Sequence, residues 1–138
     1  GCMSPENNWL SSAQGAVSSA GATCPGCSRA LSLRLSHVLL KRLGDPLASM
    51  LVTLLPEHDQ FLFSGTLTEL GQGDASIGLP DFIEHAQHLF PQAGDPHLID
   101  AFLEGIATAL PESLTAQVAA ALPRELRHSY LGIPKKAA

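Results

Sequence analysis

The sequence predicts an all-α fold: two related helical units of three to four helices each, packed as a compact helical bundle. Three observations carry this. The hydrophobic residues, 45% of the chain, are mostly Leu and Ala, which are strong helix formers, whereas the β-branched and aromatic residues that favour strands are few. Apolar residues recur three and four positions apart in one window after another. Pro and Gly interrupt those windows at matching places in the two halves.

The elements follow in order. Trp9, Leu10, Ala13 and Val17 predict a first helix near 6–20, closed by Gly21. A second helix follows Pro25 and ends at Gly44. Leu31, Leu35, Val38, Leu39 and Leu43 form one of its faces and Leu33 with Leu40 another, the pattern of a helix central in its bundle. Asp45-Pro46 reads as a cap and first helical residue, and Leu47, Met50, Leu51 and Leu54 continue the stripe. Pro56 restarts the chain into a short helix ending near Phe63. Ser64 to Leu79 has linker composition, with room for a turn of helix over Thr66–Leu70.

In the second half, Phe82, Ile83, Ala86, Leu89 and Phe90 predict a helix stopped by Pro91. Asp95-Pro96 opens the most regular amphipathic helix, faced by Leu98, Ile99, Phe102, Leu103, Ile106 and Leu110. Pro111-Glu112 opens a helix carrying Leu114, Val118 and Leu122, and Pro123 a last short one ending near Tyr130. The expected organisation is a first unit over 1–71, with 1–8 disordered, and a second over 72–138, with 72–79 ending the linker.

A shift of 67 aligns the halves. Leu43 falls on Leu110, Leu47 on Leu114, Leu55 on Leu122, Pro56 on Pro123 and Gly65 on Gly132. Leu39 meets Ile106, Leu51 meets Val118 and Phe63 meets Tyr130. The Pro and Gly matches punctuate helices and the apolar matches keep one face, as duplicated units packed on each other would require. The segment Leu114–Leu131, with Leu122, Pro123, Glu125, Leu126 and Tyr130, follows the amphipathic helix opened by Asp95-Pro96. Together they resemble the bacterial family called domain of unknown function 2267, whose two helical units each end in a Leu-Pro-x-x-Leu or Leu-Pro-x-x-Tyr segment. The resemblance covers roughly residues 9–132. In the first half, Leu55-Pro56-Glu57-His58-Asp59 keeps only the Leu-Pro. The resemblance implies a tandem helical fold and no catalytic residues.

Charged residues make up 15% of the chain and the net charge is −5. Residues 1–71 hold four Lys/Arg against five Asp/Glu, and residues 72–138 four against eight. Neither half offers the positive field that a phosphate backbone or an anionic membrane surface attracts, so nucleic acid and membrane partners are not expected. No apolar run approaches the roughly 20 residues of a bilayer span. Gly1–Asn8 carry no basic patch followed by an apolar stretch, so no secretory signal is expected. The compartment read from this is the bacterial cytoplasm, with thiols mostly reduced.

Cys24-Pro25-Gly26-Cys27 is the sharpest local motif. Pro25 fits the first helical position, which would put both thiols at a helix N-terminus, where unpaired N–H groups and the dipole favour thiolate. Three readings stay open: two small residues filling a helix start, a redox or sensing dithiol, or half of a metal site. A structural zinc needs four ligands, so the rest would come from Cys2, His37, His58, His85, His88, His97 or His128, none at the spacing of a zinc module. No other cofactor is expected. Arg34, His37 and Lys41 share one face of the second helix, and His97, Asp100 and Glu104 one face of its counterpart. These stripes of opposite sign are either a complementary contact, between halves or between chains, or ordinary solvated faces. No nucleophile elbow, phosphate loop or metalloprotease motif is present. The reading is a non-enzymatic interaction or binding module with a protein partner or self-association. The alternative is a thiol redox-sensing or metal-holding protein using Cys24 and Cys27.

Overall fold

The computed structural model describes residues 8–132. Nine α-helices and one 3-10 turn follow one another among them: α1 Trp9–Ser19, α2 Cys27–Leu43, α3 Leu47–Val52, α4 Glu57–Phe61, α5 Ser64–Glu69, α6 Leu79–Gln87, the turn Pro91–Gly94, α7 Pro96–Ala109, α8 Glu112–Ala121 and α9 Arg124–Leu131. The one β pairing among the described residues is an isolated bridge between Gly44 and Gln72. The fold is all-helical, as the Leu/Ala periodicity predicts. No described helix is long and apolar enough to cross a membrane.

Local chemistry explains most boundaries and corrects three expectations. Asn8, expected in a disordered tail, is the N-cap of α1: its Oδ1 accepts from Ser11 N at 3.0 Å, the arrangement Asn favours at that position. The rest of the segment expected to be disordered lies outside the described residues. Asp95-Pro96 caps α7 as expected, with Asp95 Oδ1 accepting from His97 N at 2.9 Å. The same dipeptide at Asp45-Pro46 does not. There the peptide bond is cis, Pro46 is the N-cap, and Asp45 Oδ1 accepts from Ser49 Oγ at 2.6 Å. The 64–79 linker is largely ordered, because Ser64–Glu69 forms α5 and Leu79 already belongs to α6. Its middle is tied to the end of α2 by two backbone bonds, Asp45 N to Gly71 O and Asp74 N to Lys41 O, each 3.0 Å.

That docking needs glycine twice. A Cβ on Gly73 would collide with the Arg42 and Leu43 carbonyls, and one on Gly44 (φ 71°) with the Gly73 backbone. Arg42, which the periodicity left unremarked, completes the junction. Its guanidinium donates to the carbonyls of Ala75, Ile77 at 3.1 Å and Ala121 at 2.9 Å. One side chain thus ties α2 to the connection and to the end of α8.

The buried apolar side chains of both halves form one core. The most extensive helix pair is α1 with α7, which joins the first half to the second. Gly105 makes that pairing possible: a Cβ there would lie 2.9 Å from Ala16 Cβ and 3.0 Å from Ala13 Cα. The two backbones are also linked by Ser12 Oγ, which donates to Gly105 O at 2.6 Å. α2 touches α1, α3, α5, α6 and α8, the central place its two apolar faces predict. Trp9 is fully buried and its Nε1 donates to Leu51 O at 2.7 Å. Its ring centroid lies 6.1 Å from that of Phe63.

Candidate functional site

Cys24 and Cys27 are joined by a disulfide, with their Cα atoms 5.3 Å apart, inside the range a disulfide spans. This corrects the expectation of reduced thiols. It also corrects the placement of Pro25, which lies outside the helix. Pro25 and Gly26 are the corners of a turn closed by Cys27 N donating to Cys24 O at 2.9 Å. Gly26 takes φ 74° and ψ −4°, the second corner of a type II turn, for which Pro-Gly in that order is the favoured sequence. α2 therefore starts at Cys27 itself. Cys24 is exposed and Cys27 half-buried against the core. No side chain caps the helix. Among the described residues, no group of three or more His, Cys, Asp or Glu could hold a metal ion. His85 and His88 have ring centroids 6.1 Å apart with no third such residue beside them.

The two charge stripes do not meet. On α2, His37 is drawn inward. Its ring lies 4.9 Å from Phe63, and its Nδ1 shares a 2.7 Å hydrogen bond with Thr66 Oγ1 of α5. Burial, then the Lys41 and Arg34 charges, lowers its pKa below the usual 6.5. Arg34 is half-buried and Lys41 exposed. On α7, His97 and Glu104 are exposed, while half-buried Asp100 accepts from Ser129 Oγ of α9 at 2.6 Å. His37 and Asp100 each bond to a helix of their own half. No ion pair joins the stripes among the described residues, so the contact between halves that their signs allowed is not made.

The feature that sequence reasoning missed is an apolar edge made by α3, α4 and α5. Phe61 is 78% exposed, and Met50 and Leu62 are each 39% exposed. Beside Phe61 lies an open groove of about 610 Å³, with Val52, Thr53, Gln60 and Leu67 in its walls and Glu57 at its rim. The signal was Phe61-Leu62-Phe63: three consecutive apolar residues near a helix end cannot all face one core. Phe63 is fully buried, and its neighbours are left outside.

The chain matches no family model, no curated protein and no solved structure.

Proposed function

We propose that this chain is a non-enzymatic helical interaction module, built from a duplicated unit of the kind the family resemblance implies, whose partner surface is the α3–α5 edge. The observation that carries this is Phe61, a large aromatic side chain left 78% exposed beside an apolar groove. Apolar patches of this sort mark contact surfaces. The duplication is supported by a repeated hydrogen bond. Gln60 Nε2 donates to Leu55 O at 2.8 Å, and 67 positions on, an Arg127 Nη donates to Leu122 O at 3.0 Å.

The occupant is an apolar side chain of a protein, and a second copy of this chain is the first to test. Phe61 both projects and walls the groove, so two copies related by a twofold axis can exchange it. Sedimentation velocity across concentration, on the wild type and Phe61→Glu, tests this. A mass rising above 14.5 kDa only in the wild type is the expected result. A monomeric wild type that binds an apolar fluorescent dye no better than Phe61→Glu would overturn it.

A second reading rests on the exposed disulfide. An external thiolate can attack Cys24 Sγ, forming a mixed disulfide and releasing Cys27 as a thiolate at the start of α2. A second external thiol then releases Cys24, so the reductant leaves as its disulfide and the chain as a dithiol. Native protein that equilibrates with a glutathione buffer within minutes is expected on this reading. A bond that reduces only after unfolding is a structural staple. Zinc belongs to the same reading, as an ion held by the reduced pair, and metal content after reduction and reloading tests it.

A further inference from the structure

A pocket of about 430 Å³ lies where α1, α7, α8 and α9 meet, away from both the apolar edge and the disulfide. Three of its hydroxyls have already spent their hydrogens. Ser12 Oγ donates to Gly105 O at 2.6 Å, Thr108 Oγ1 to the same carbonyl at 3.0 Å, and Thr115 Oγ1 to Pro111 O at 3.1 Å. A hydroxyl has one hydrogen, so all three offer the pocket lone pairs only. The helical backbone here has its N–H groups engaged, Gly132 N included, which donates to Ser129 O at 3.2 Å.

The charge has the same sense. Glu104 stands on the pocket wall, and a Cβ on Gly132 would lie 2.9 Å from its Oε2. The carboxylate therefore sits at the C-terminal end of α9, where unpaired carbonyls carry partial negative charge. No cationic side chain among the described residues pairs with Glu104. Tyr130, fully buried on the pocket wall, has its hydroxyl beside Thr115 without closing a well-formed hydrogen bond to it.

We propose that this pocket binds a primary ammonium group carried on a short aliphatic stem. The ammonium supplies three donors and a positive charge to a site that has acceptors and a negative charge. Ala16, Ala107 and Leu131 give the stem an apolar wall. The proposal does not rest on the α3–α5 edge. The same chemistry is carried by free alkylamines and by the lysine side chain of a peptide.

The test is a titration of the full chain with n-butylammonium chloride, followed by amide NMR, with butan-1-ol and sodium butyrate as controls. Saturable shifts are expected at Gly105, Thr108, Thr115 and Tyr130, with a millimolar Kd suited to so small a ligand. Neither control should reproduce them. Glu104→Gln should weaken binding about tenfold or more, as loss of a charge-assisted hydrogen bond does. Glu104 is exposed, so this variant keeps its fold, and an unchanged amide spectrum checks that. Shifts equal with butan-1-ol, no saturation, or a Glu104→Gln variant that binds as well as wild type would each overturn the proposal. An acetylated, amidated Ala-Lys-Ala peptide binding more tightly than n-butylammonium assigns the source to a partner's lysine. Equal or weaker binding assigns it to a free amine.

Discussion

Phe63 and Tyr130 stand 67 positions apart and are both fully buried, yet one is sealed into the core and the other walls a pocket. In the first half Val38 and Ala48 are buried in the core, and the His37 ring lies 4.9 Å from Phe63. The places 67 residues later hold Gly105, Thr115 and Glu104. Methyl groups have been exchanged for a bare backbone and a hydroxyl, and a half-buried imidazole for an exposed carboxylate. The difference teaches that a helical frame needs only a few positions changed for solid packing to become a polar cavity. The frame tolerates it because Leu39 and Ile106, and Leu51 and Val118, stay fully buried as pairs.

The hardest way to break this comparison is to impose one place on the other. Gly105→Val copies Val38 into the second half. At Gly105 even a Cβ lies 3.0 Å from Ala13 Cα and 3.0 Å from Ser12 O, backbone atoms that cannot rotate away, so α1 must move off α7. The expected cost is about 3 kcal/mol or more, the upper range for overpacking. Urea denaturation followed by the fluorescence of Trp9, the sole tryptophan, measures it. A cost under about 1 kcal/mol would mean that the α1–α7 approach is looser than described.

A smaller effect separates the two rings themselves. Burial pushes the Tyr130 hydroxyl from 10.0 up to about 12, with Thr115 opposing. A raised acid pKa means that the unfolded chain loses its proton first. The stability is therefore fully present below pH 10 and is lost as pH rises through about 12. The loss reaches at most about 2–3 kcal/mol, at roughly 1.4 per pH unit. Tyr130→Phe makes the second place like the first and should flatten this alkaline decline while costing little at neutral pH. Tyr130 is the only tyrosine, so tyrosinate absorbance follows the group directly. A midpoint near the ordinary value in folded protein would contradict its burial.

Much of this frame was legible from residue spacing, because helix periodicity and Pro/Gly punctuation are local. The segments faced by Leu31–Leu43 and Leu98–Leu110 appear as α2 and α7, and Pro56 and Pro123 each stand as the N-cap of a short helix. What escaped depends on contacts distant in sequence. The bracing of Ala75, Ile77 and Ala121 by Arg42 leaves no periodic trace. Asp59 occupies the buried place that Leu126 fills 67 residues later, 3.9 Å from Arg29. Its departure from the Leu-Pro-x-x-Leu pattern was visible, but not that a carboxylate would be accommodated there. Spacing puts the charged stripes on helix faces, yet spacing along one helix cannot say that α5 would lie over His37. Helix position alone misplaces Pro25-Gly26, whose order specifies a turn.

The smallest expected effect tests the inward turn of His37. Its imidazole meets Phe63 and Thr66, and the charges facing it are Lys41 and Arg34 on its own helix. Burial first, and then those two cations, lowers its pKa below 6.5. The unfolded chain therefore takes up the proton before the folded one does. The stabilisation is present above 6.5 and is lost as pH falls through the depressed folded value. His37→Gln keeps a side chain able to bond Thr66 and removes the titration, so its stability should fall less than that of the wild type on acidification from about pH 7 to about pH 5. Parallel curves for the two proteins would place His37 in solvent. It would then be the exposed stripe member its spacing first suggested, and the contrast with Glu104 would reduce to a difference in charge.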